Sequence, residues 1–303
     1  MVIPCHNHAA FLADAIESVR AQTYTAYEII VVDDGSTDSS AEVAAACSSV
    51  RLLPQRHSGV SAARNAGLAI ADGVFVVFLD ADDRLLPNAL EVGVNCLIER
   101  PECGLVYGRY CLIDANGQVM SPAQGRSVDA QHYLAMLRSN YIGMHAAVMY
   151  RRNVLEEFGP FNNSLRACED YDMYLRIMRL RPAYGHGILV AEYRQHQTNA
   201  SRNDALMLKG ALSVIRSQWT FVKSEPQARA AYCAGLRHWQ DYFGSRVARA
   251  LHRHVTARDW KNTIDAAWTL LRYHPRGFTR SSAELLQRAA SAIARVASSK
   301  SLT

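Results

Sequence analysis

One run of residues constrains the fold of this chain more than any other: an apolar strand that ends in three carboxylates. Residues 74–79 are continuously apolar and rich in β-branched and aromatic side chains, as in a strand buried on both faces. Asp80, Asp82 and Asp83 come directly after it. Three acids cannot remain in such a core. They therefore emerge at the carboxyl end of the strand, where open α/β sheets bind ligands.

A second strand ends in the same way. Residues 28–32 form another apolar stretch, followed by Asp33 and Asp34, and Gly35 permits a turn. We interpret Asp38 as a cap of the next helix. Acids crowded at one edge of a sheet repel each other unless a cation or protons intervene. Ligands that are all oxygen favour a hard divalent ion, Mg²⁺ or Mn²⁺.

Strands and helices alternate through residues 1–204. This order is typical of βαβ units and predicts an α/β fold, a mostly parallel sheet flanked by helices. We predict strands at 2–3, 28–32, 50–53, 74–79, 104–113, 146–150 and 188–193. We predict helices at 11–20, 39–47, 61–71, 87–99, 152–158 and 170–180. Because the first strand is short for a central strand, we expect a few residues to be missing upstream.

Beyond residue 204 the strand pattern disappears and the charge changes sign. Helical spacing runs through four segments: 206–222, 227–252, 259–273 and 282–297. Residues 1–204 carry 17 Lys+Arg and 23 Asp+Glu, a net charge of −6, whereas residues 205–303 carry 16 Lys+Arg and 5 Asp+Glu, a net charge of +11. We therefore predict a catalytic domain over 1–204 and a basic, all-helical extension over 205–303. The extension has two interpretations: attraction to anionic lipid, or helices packed beneath a solvated basic face.

Composition excludes several classes of protein. Hydrophobic residues make up 49% of the chain and charged residues 20%, which is ordinary for a globular protein. We find no window apolar for the length of a membrane span and no signal peptide. Seven cysteines without a Cys-x-x-Cys pair argue against a disulfide framework or a zinc site. We expect a cytoplasmic protein, either free or peripheral at the inner face of the cell membrane.

Seven short motifs follow one another along the chain: VIPCHN at 2–7, VVDDGSTD at 31–38, SGVSAARNAG at 58–67, FLDADD at 78–83, FGPF at 158–161, EDYDMYLR at 169–176 and YRQH at 193–196. In this order they resemble the motifs of family 2 glycosyltransferases, which have the Rossmann-like GT-A fold. Each motif is weak alone and the ordered set is specific; the resemblance spans about residues 2–203. The opening motif has His6 where the family usually has an aromatic residue, and Cys168 precedes the Glu-Asp pair, which leaves the donor preference open.

The resemblance implies transfer of a sugar from a nucleoside diphosphate to a hydroxyl, with inversion. It implies that Asp82 binds a metal ion bridging the two phosphates, with Asp80 near the ribose or in the water shell of the metal. It implies that His196 completes the metal or phosphate site. The expected ion is Mn²⁺ or Mg²⁺, acting as a Lewis acid on the leaving diphosphate. Arg64 and Arg194 are alternative partners for the phosphates.

The resemblance also suggests a general base for the acceptor. We predict Asp170, because backbone N–H groups at the start of a helix favour a charged carboxylate and that carboxylate can take the hydroxyl proton. We expect Glu169 to orient the acceptor or the nearby backbone. Asp172 is the rival base, and its other interpretation is a first-turn acid that stabilises the helix.

Four residues near the amino terminus are implied in nucleotide binding. We expect Asp34 to meet the nucleobase or ribose and Asp33 to support its loop, while Pro4 and Asn7 line the base pocket. The expected donor is a UDP- or dTDP-sugar, and the expected acceptor is a saccharide or a lipid-linked molecule. Synthesis of cell-surface polysaccharide is the family-level expectation, and nothing points to nucleic acid.

Three other functions compete with this interpretation. A phosphatase with an Asp-x-Asp-x-Thr motif would match residues 80–83, but the fifth position is Arg84 and the motif does not follow the first strand. Sugar-nucleotide synthesis would normally require a Gly-rich basic loop near the amino terminus, which is absent. A catalytically degenerate binding or assembly module is the third alternative, and the intact acids Asp80, Asp82 and Asp170 argue against it.

Overall fold

The computed structural model describes residues 1–279, which fall into two compact units. The first unit is Met1–Asn199 and the second begins at Ala200. The helix predicted at 282–297 lies outside the described residues. The division into a catalytic domain and a basic extension at residue 204 stays a prediction about function.

The first unit alternates strands and helices, as its sequence predicts. Its strands are β1 Val2–Cys5, β2 Ile29–Asp34, β3 Val50–Gln55, β4 Phe75–Val76, β5 Arg84–Leu85, β6 Leu105–Ile113, β7 Val148–Arg151 and β8 Ala183–Arg194. Its helices are α1 Ala9–Arg20, α2 Ser40–Ala45, α3 Val60–Ala69, α4 Ala89–Glu99, α5 His132–Arg138, α6 Arg152–Phe158 and α7 Glu169–Met178. The short elements β5 and α5 were not predicted.

The apolar run 74–79 joins two sheets. The sheet β1-β2-β3 is entirely parallel, and the sheet β4-β7-β6-β8-β5 is mixed. Beyond β4 the run pairs in parallel with β1: the Val2 N–H donates to the Val77 carbonyl and the Leu79 N–H to the Val2 carbonyl, each over 3.0 Å. The start of the run pairs with the antiparallel strand β7, and its end pairs with the parallel strand β1. Because the two pairings have different hydrogen-bond patterns, the regular ladder of the run is limited to β4.

The parallel strands bring their carboxyl ends to one edge, and α1 covers one face of this sheet. Leu12, Ile16 and Val19 of α1 are fully buried at helical spacing. The Asp38 carboxylate accepts a 3.0 Å hydrogen bond from the backbone N–H of Ala9, in the first turn of α1. The same carboxylate accepts a 3.0 Å hydrogen bond from the backbone N–H of Ser40, the first residue of α2, so Asp38 satisfies a free donor of the helix that follows it, as predicted, and one of α1 as well.

The described part of the second unit is helical throughout, which agrees with the predicted extension. Its helices are α8 Asp204–Ser217, α9 Trp219–Val222, α10 Pro226–Thr256 and α11 Trp260–Tyr273. Side chains cap three of them, with Asn203, Glu225 and Asp259 accepting from backbone N–H groups of the first turn. Within residues 1–279, every helix is too short or too polar to cross a bilayer.

Candidate functional site

Asp80, Asp82 and Asp83 follow residues 74–79, which we call the central strand. They lie close to the end of β8 and to the residues that follow it. The His196 ring nitrogen Nε2 lies 2.8 Å from the Asp82 carboxylate oxygen Oδ2. The backbone N–H of Arg194, the last residue of β8, donates to the buried Asp83 carboxylate over 2.8 Å. Burial raises the pKa of Asp83, and the neighbouring Asp82 and Asp80 raise it further. The structure therefore brings Asp82 and His196 together, and their role as metal ligands stays a prediction.

His8 joins this pair and was not predicted. One ligand atom each from His8, Asp82 and His196 lies within 4.8 Å of the other two. Within the described residues the Nδ1 atom of His8 is buried and has no hydrogen-bond partner. Two imidazole nitrogens and one carboxylate oxygen suit a divalent ion such as Mn²⁺. The available signal was the position of His8, which directly follows the opening motif and lies three residues after the end of β1.

Arg64 connects the acids after the central strand to the start of α7. Its guanidinium donates to the Asp80 carboxylate over 2.7 Å and to the Glu169 carboxylate over 2.6 Å. Arg64 is only 2% exposed. Burial opposes its positive charge, but Asp80 and Glu169 outweigh that effect and raise its pKa. A cation paired in this way neutralises two carboxylates, and the contact of Arg64 with phosphate stays a prediction.

Arg194, the other predicted phosphate partner, also forms hydrogen bonds within the protein. It is 1% exposed, and its guanidinium donates to the Asp82 and Ala115 carbonyls and to the Asp14 carboxylate over 2.8–2.9 Å. These bonds fix the backbone of the acidic loop against β8. Arg194 thus supports the acidic loop in this structure, and its contact with phosphate stays a prediction.

Asp170 has an environment that suits a base. It lies in the first turn of α7, beside Glu169, and its carboxylate accepts from the Tyr171 N–H over 2.7 Å. Burial and the negative charge of Glu169 raise the pKa of Asp170 to about 7, against the opposing effect of Arg64. Such a carboxyl group exchanges its proton near neutral pH. Its rival Asp172 instead forms a 2.9 Å ion pair with Arg176 along the same helix.

The end of β2 is held mainly by neutral donors. The Asp34 carboxylate accepts from the backbone N–H groups of Ser58 and Gly59, each over 2.8 Å, and from the Gln55 amide over 2.6 Å. The Asp33 carboxylate accepts from the Ser36 N–H over 3.1 Å. Asp33 therefore supports its own turn, as predicted from the sequence.

The opening motif ties β1 to the loop after β2. The Asn7 side-chain oxygen accepts from the Thr37 N–H over 2.7 Å, and Asn7 itself is exposed with a positive φ of 58°. Pro4 is buried within β1, opposite Val32 of β2. Asn7 thus lies at the rim, whereas Pro4 is part of the sheet beneath it.

Two histidines lie beside Asp34. The rings of His6 and His57 stack at 4.1 Å, and the His57 Nδ1 atom lies 2.9 Å from the Asp34 carboxylate. These three residues form a second group with ligand atoms within 4.8 Å of one another. His57 was not predicted, since it belongs to no motif of the opening strands.

Comparisons with known proteins identify the family of the chain. Residues 1–159 match the sequence model of glycosyl transferase family 2. The Escherichia coli protein WfgD, named as a UDP-Glc:alpha-D-GlcNAc-diphosphoundecaprenol beta-1,3-glucosyltransferase, is 30% identical over 77% of this chain and 89% of its own length. An uncharacterized glycosyltransferase of Rickettsia felis is 30% identical, and the match covers 67% of this chain but only 35% of that protein.

Solved structures share the fold. S. aureus TarS 1-349, solved in complex with UDP-GlcNAc, has a TM-score of 0.58 at 14% identity, covering 88% of this chain and 89% of its own. Mannosyltransferase PcManGT from Pyrobaculum calidifontis, solved with GDP-Man and Mn²⁺, has a TM-score of 0.59 at 18% identity, covering 96% and 79%. The fold is that of GT-A glycosyltransferases, as the motifs predict. With the family match over more than half of its residues, the chain belongs to glycosyl transferase family 2.

Proposed function

We propose that this protein is an inverting, metal-dependent glycosyltransferase that moves a sugar from a nucleoside-diphosphate sugar to a hydroxyl group. The observation that carries the proposal is the convergence of two kinds of group at one edge of the sheet. A metal-binding pair, Asp82 and His196, follows the central strand and β8. A carboxyl group of raised pKa, Asp170, adjoins Glu169, which Arg64 links to Asp80 of the same loop.

Asp82 and His196 hold the divalent ion, Mn²⁺ or Mg²⁺. When bound there, the ion neutralises the charge that develops on the leaving diphosphate. Asp80 lies beside this position, and its charge is partly balanced by Arg64 over 2.7 Å. Arg194 and Asn199 fix the loop, because both hydrogen-bond to backbone on the acidic loop or its neighbour β8.

Asp170 removes the proton from the acceptor hydroxyl as the new C–O bond forms. Its pKa of about 7 leaves a substantial fraction of it deprotonated at neutral pH while keeping useful basicity. A base that activates the acceptor supports direct displacement of the diphosphate, and direct displacement inverts the anomeric centre. Glu169 is held by Arg64 and therefore positions the start of α7 around the base.

The end of β2 receives the nucleoside. Asp34 is held rigidly by three donors, so it can accept from a ring N–H of the base with little loss of conformational entropy. Uracil and thymine each present one such N–H group, which agrees with a UDP- or dTDP-sugar as donor. We propose that Asn7 and Pro4 border the same pocket from β1.

The acceptor is a saccharide or a lipid-linked molecule, and the product belongs to a cell-surface polysaccharide. The name of WfgD states a diphosphoundecaprenol acceptor, which supports the lipid-linked alternative. We also propose that the enzyme works in the cytoplasm, peripherally at the inner face of the membrane.

A panel of nucleotide sugars tests the function. The full-length protein is incubated with each UDP-, dTDP- and GDP-sugar in Mn²⁺, with and without candidate acceptors, and release of the nucleoside diphosphate is measured. We expect turnover with one donor class, lost on chelation and in Asp82→Asn. Asp72→Asn is a matched control, because Asp72 is exposed and precedes the central strand. Donor binding without turnover for every acceptor would favour the degenerate binding module.

A further inference from the structure

His8 points to a metal preference that Asp82 and His196 alone do not impose. We propose that His8 is a third ligand of the proposed metal site and that it shifts the selectivity of this site from Mg²⁺ towards Mn²⁺ and similar transition ions. This inference rests on the metal-dependent function proposed above.

The position of His8 supports direct ligation. Its ring centroid lies 6.0 Å from that of His196, with one ligand atom of each in the 4.8 Å group. It is the N-cap residue of α1, yet its side chain makes no capping hydrogen bond. Within the described residues its buried Nδ1 atom has no hydrogen-bond partner, which is unfavourable, and a bound ion would satisfy it. Helix capping therefore does not explain the placement of His8.

The chemistry of the three ligands sets the expected ion. Mg²⁺ prefers oxygen ligands and sheds its water reluctantly. Imidazole suits later transition ions, and affinity generally rises from Mn²⁺ along the first row. Replacing one of two imidazoles with a methyl group should therefore weaken Mn²⁺ binding more than Mg²⁺ binding.

Titration of the metal-free, full-length protein with MnCl₂, followed by the electron paramagnetic resonance of free Mn²⁺, tests this without an activity assay. We expect His8→Ala to weaken Mn²⁺ binding about tenfold or more, since even outer-shell changes cost this much, and His8→Asp to favour Mg²⁺ relative to the wild type. His57→Ala is the matched control, because it removes a ligand from the other group of three. It should leave Mn²⁺ binding unchanged.

The outcomes separate two failures. If Asp82→Asn loses Mn²⁺ while His8→Ala retains wild-type affinity for both ions, the role of His8 is overturned and the proposed metal site stands. If the wild type binds no Mn²⁺, the proposed metal dependence fails as well.

A different observation carries a second inference, on α11 of the second unit. Four large apolar side chains of this helix are exposed: Trp260 by 60%, Ile264 by 66%, Trp268 by 64% and Leu271 by 48%. Their spacing of four, four and three residues places them along one face, which we call the α11 stripe. The buried residues Ala266, Thr269 and Leu270 occupy another face. The helix thus has one packed face and one open apolar face.

We propose that the α11 stripe inserts into the headgroup region of an anionic membrane. Lys261 and Arg272 each follow a member of the stripe by one residue, about 100° around the helix, so basic groups border it. Residues 205–279 carry 12 Lys+Arg and 4 Asp+Glu. Tryptophan with flanking basic residues is typical of helices that lie in a membrane interface. Positive charge favours an anionic lipid surface over an uncharged partner.

Vesicle flotation of the full-length protein tests this. We expect binding to vesicles with about one-third phosphatidylglycerol at low salt, and weaker binding at high salt because exposed charges are screened. Trp260→Ser combined with Trp268→Ser should reduce binding about tenfold or more, since both indoles lose burial. Trp219→Ser is the matched control, because Trp219 is 43% exposed and lies outside the stripe; it should bind as the wild type does.

Three results would overturn the membrane inference. Wild-type protein that stays soluble at low salt is the first, and equal binding of the double variant is the second. Self-association that the double variant abolishes, without vesicle binding, is the third and would identify a second copy as the occupant. Because flotation involves no sugar transfer, each result is independent of the proposed enzyme function.

Discussion

The two acid-bearing strand ends look alike in sequence and differ in their partners. At the end of β2, Asp34 is 3% exposed and bonds to two backbone N–H groups and one amide, with His57 beside it. After the central strand, Asp80 pairs with the buried Arg64. Asp82 lies beside His196 and forms, with His196 and His8, a group of three possible metal ligands.

This difference in partners suggests that one strand end recognises the ligand and that the other takes part in the reaction. A carboxylate held by fixed neutral donors is rigid and suits recognition of a ligand. Imidazoles lie beside both strand ends, and the carboxylate that lacks such a set of neutral donors is the one available to bind a cation. We therefore assign nucleoside binding to the β2 end and metal binding to the loop after the central strand, and substitutions at the two ends should affect different kinetic constants.

Asp82→Asn should have the largest effect on transfer. Asp82 would hold the ion that neutralises the leaving diphosphate, so its loss removes several kcal/mol of transition-state stabilisation, which corresponds to a loss in kcat of about 10³- to 10⁴-fold. Initial rates at saturating donor and Mn²⁺ measure it. A loss that appears only in the donor KM would make Asp82 a recognition residue and erase the distinction between the two strand ends.

Asp170→Asn should lower kcat about 10²- to 10⁴-fold while the donor still binds, because the amide keeps the shape of the side chain and removes the base. In the wild type, kcat/KM should fall as the pH is lowered through about 7, since the base must be deprotonated. In the variant, kcat/KM should show no such fall with pH. Near wild-type turnover in the variant would transfer the role to Glu169 or Asp172.

The same residue predicts a pH effect on stability. The pKa of Asp170 is raised from 3.8 to about 7, so the folded state binds this proton more tightly than the unfolded state does. Its contribution to the free energy of unfolding should therefore fall as the pH rises between these values. Urea unfolding across this range should show a smaller decline in Asp170→Asn than in the wild type.

Asp34→Asn should mainly raise the KM of the donor. Losing one hydrogen bond to the base costs about 0.5–1.5 kcal/mol, or up to roughly tenfold in affinity, if the bond is made equally in ground and transition states. Steady-state kinetics with varied donor measure it. A loss in kcat as large as that of Asp82→Asn would contradict the separation of roles.

The smallest effect on transfer belongs to Asp38→Ala, in the same loop as Asp34. Asp38 bonds to the Ala9 N–H and to Ser40, which makes it a cap. Its loss should cost about 0.5–2 kcal/mol of stability with kcat unchanged. Thermal unfolding beside an activity assay measures both. A drop in kcat without a drop in melting temperature would place Asp38 in the site.

Sequence patterns were sufficient for the order of the longer elements and for the two acidic strand ends. Continuous apolar runs identify buried strands, and acids at their ends must leave the core, so Asp33, Asp34, Asp80 and Asp82 could be placed at an edge. The pairing of His196 with Asp82 came from the family motif and is present at 2.8 Å.

Long-range contacts could not be predicted from local patterns. Arg64 and Arg194 were predicted as phosphate partners. Their hydrogen bonds to Glu169 and Asp14 join residues 105 and 180 positions apart, so no local pattern could predict them. His8 reaches Asp82 only because β1 and the central strand are neighbours in the sheet. The two-residue strand β5 is too short to produce a periodic signal.

Binding of a nucleoside diphosphate with and without a divalent ion tests the central claim most directly. Calorimetry titrates UDP, dTDP or GDP into the full-length protein in Mn²⁺ and again in excess chelator. The acids around Asp82 repel a diphosphate unless a cation is present, so we predict tight binding of one nucleotide in Mn²⁺ and binding weaker by at least about tenfold in chelator. Equal affinity in both conditions would contradict the account, because the loop after the central strand would then play no part as a metal site.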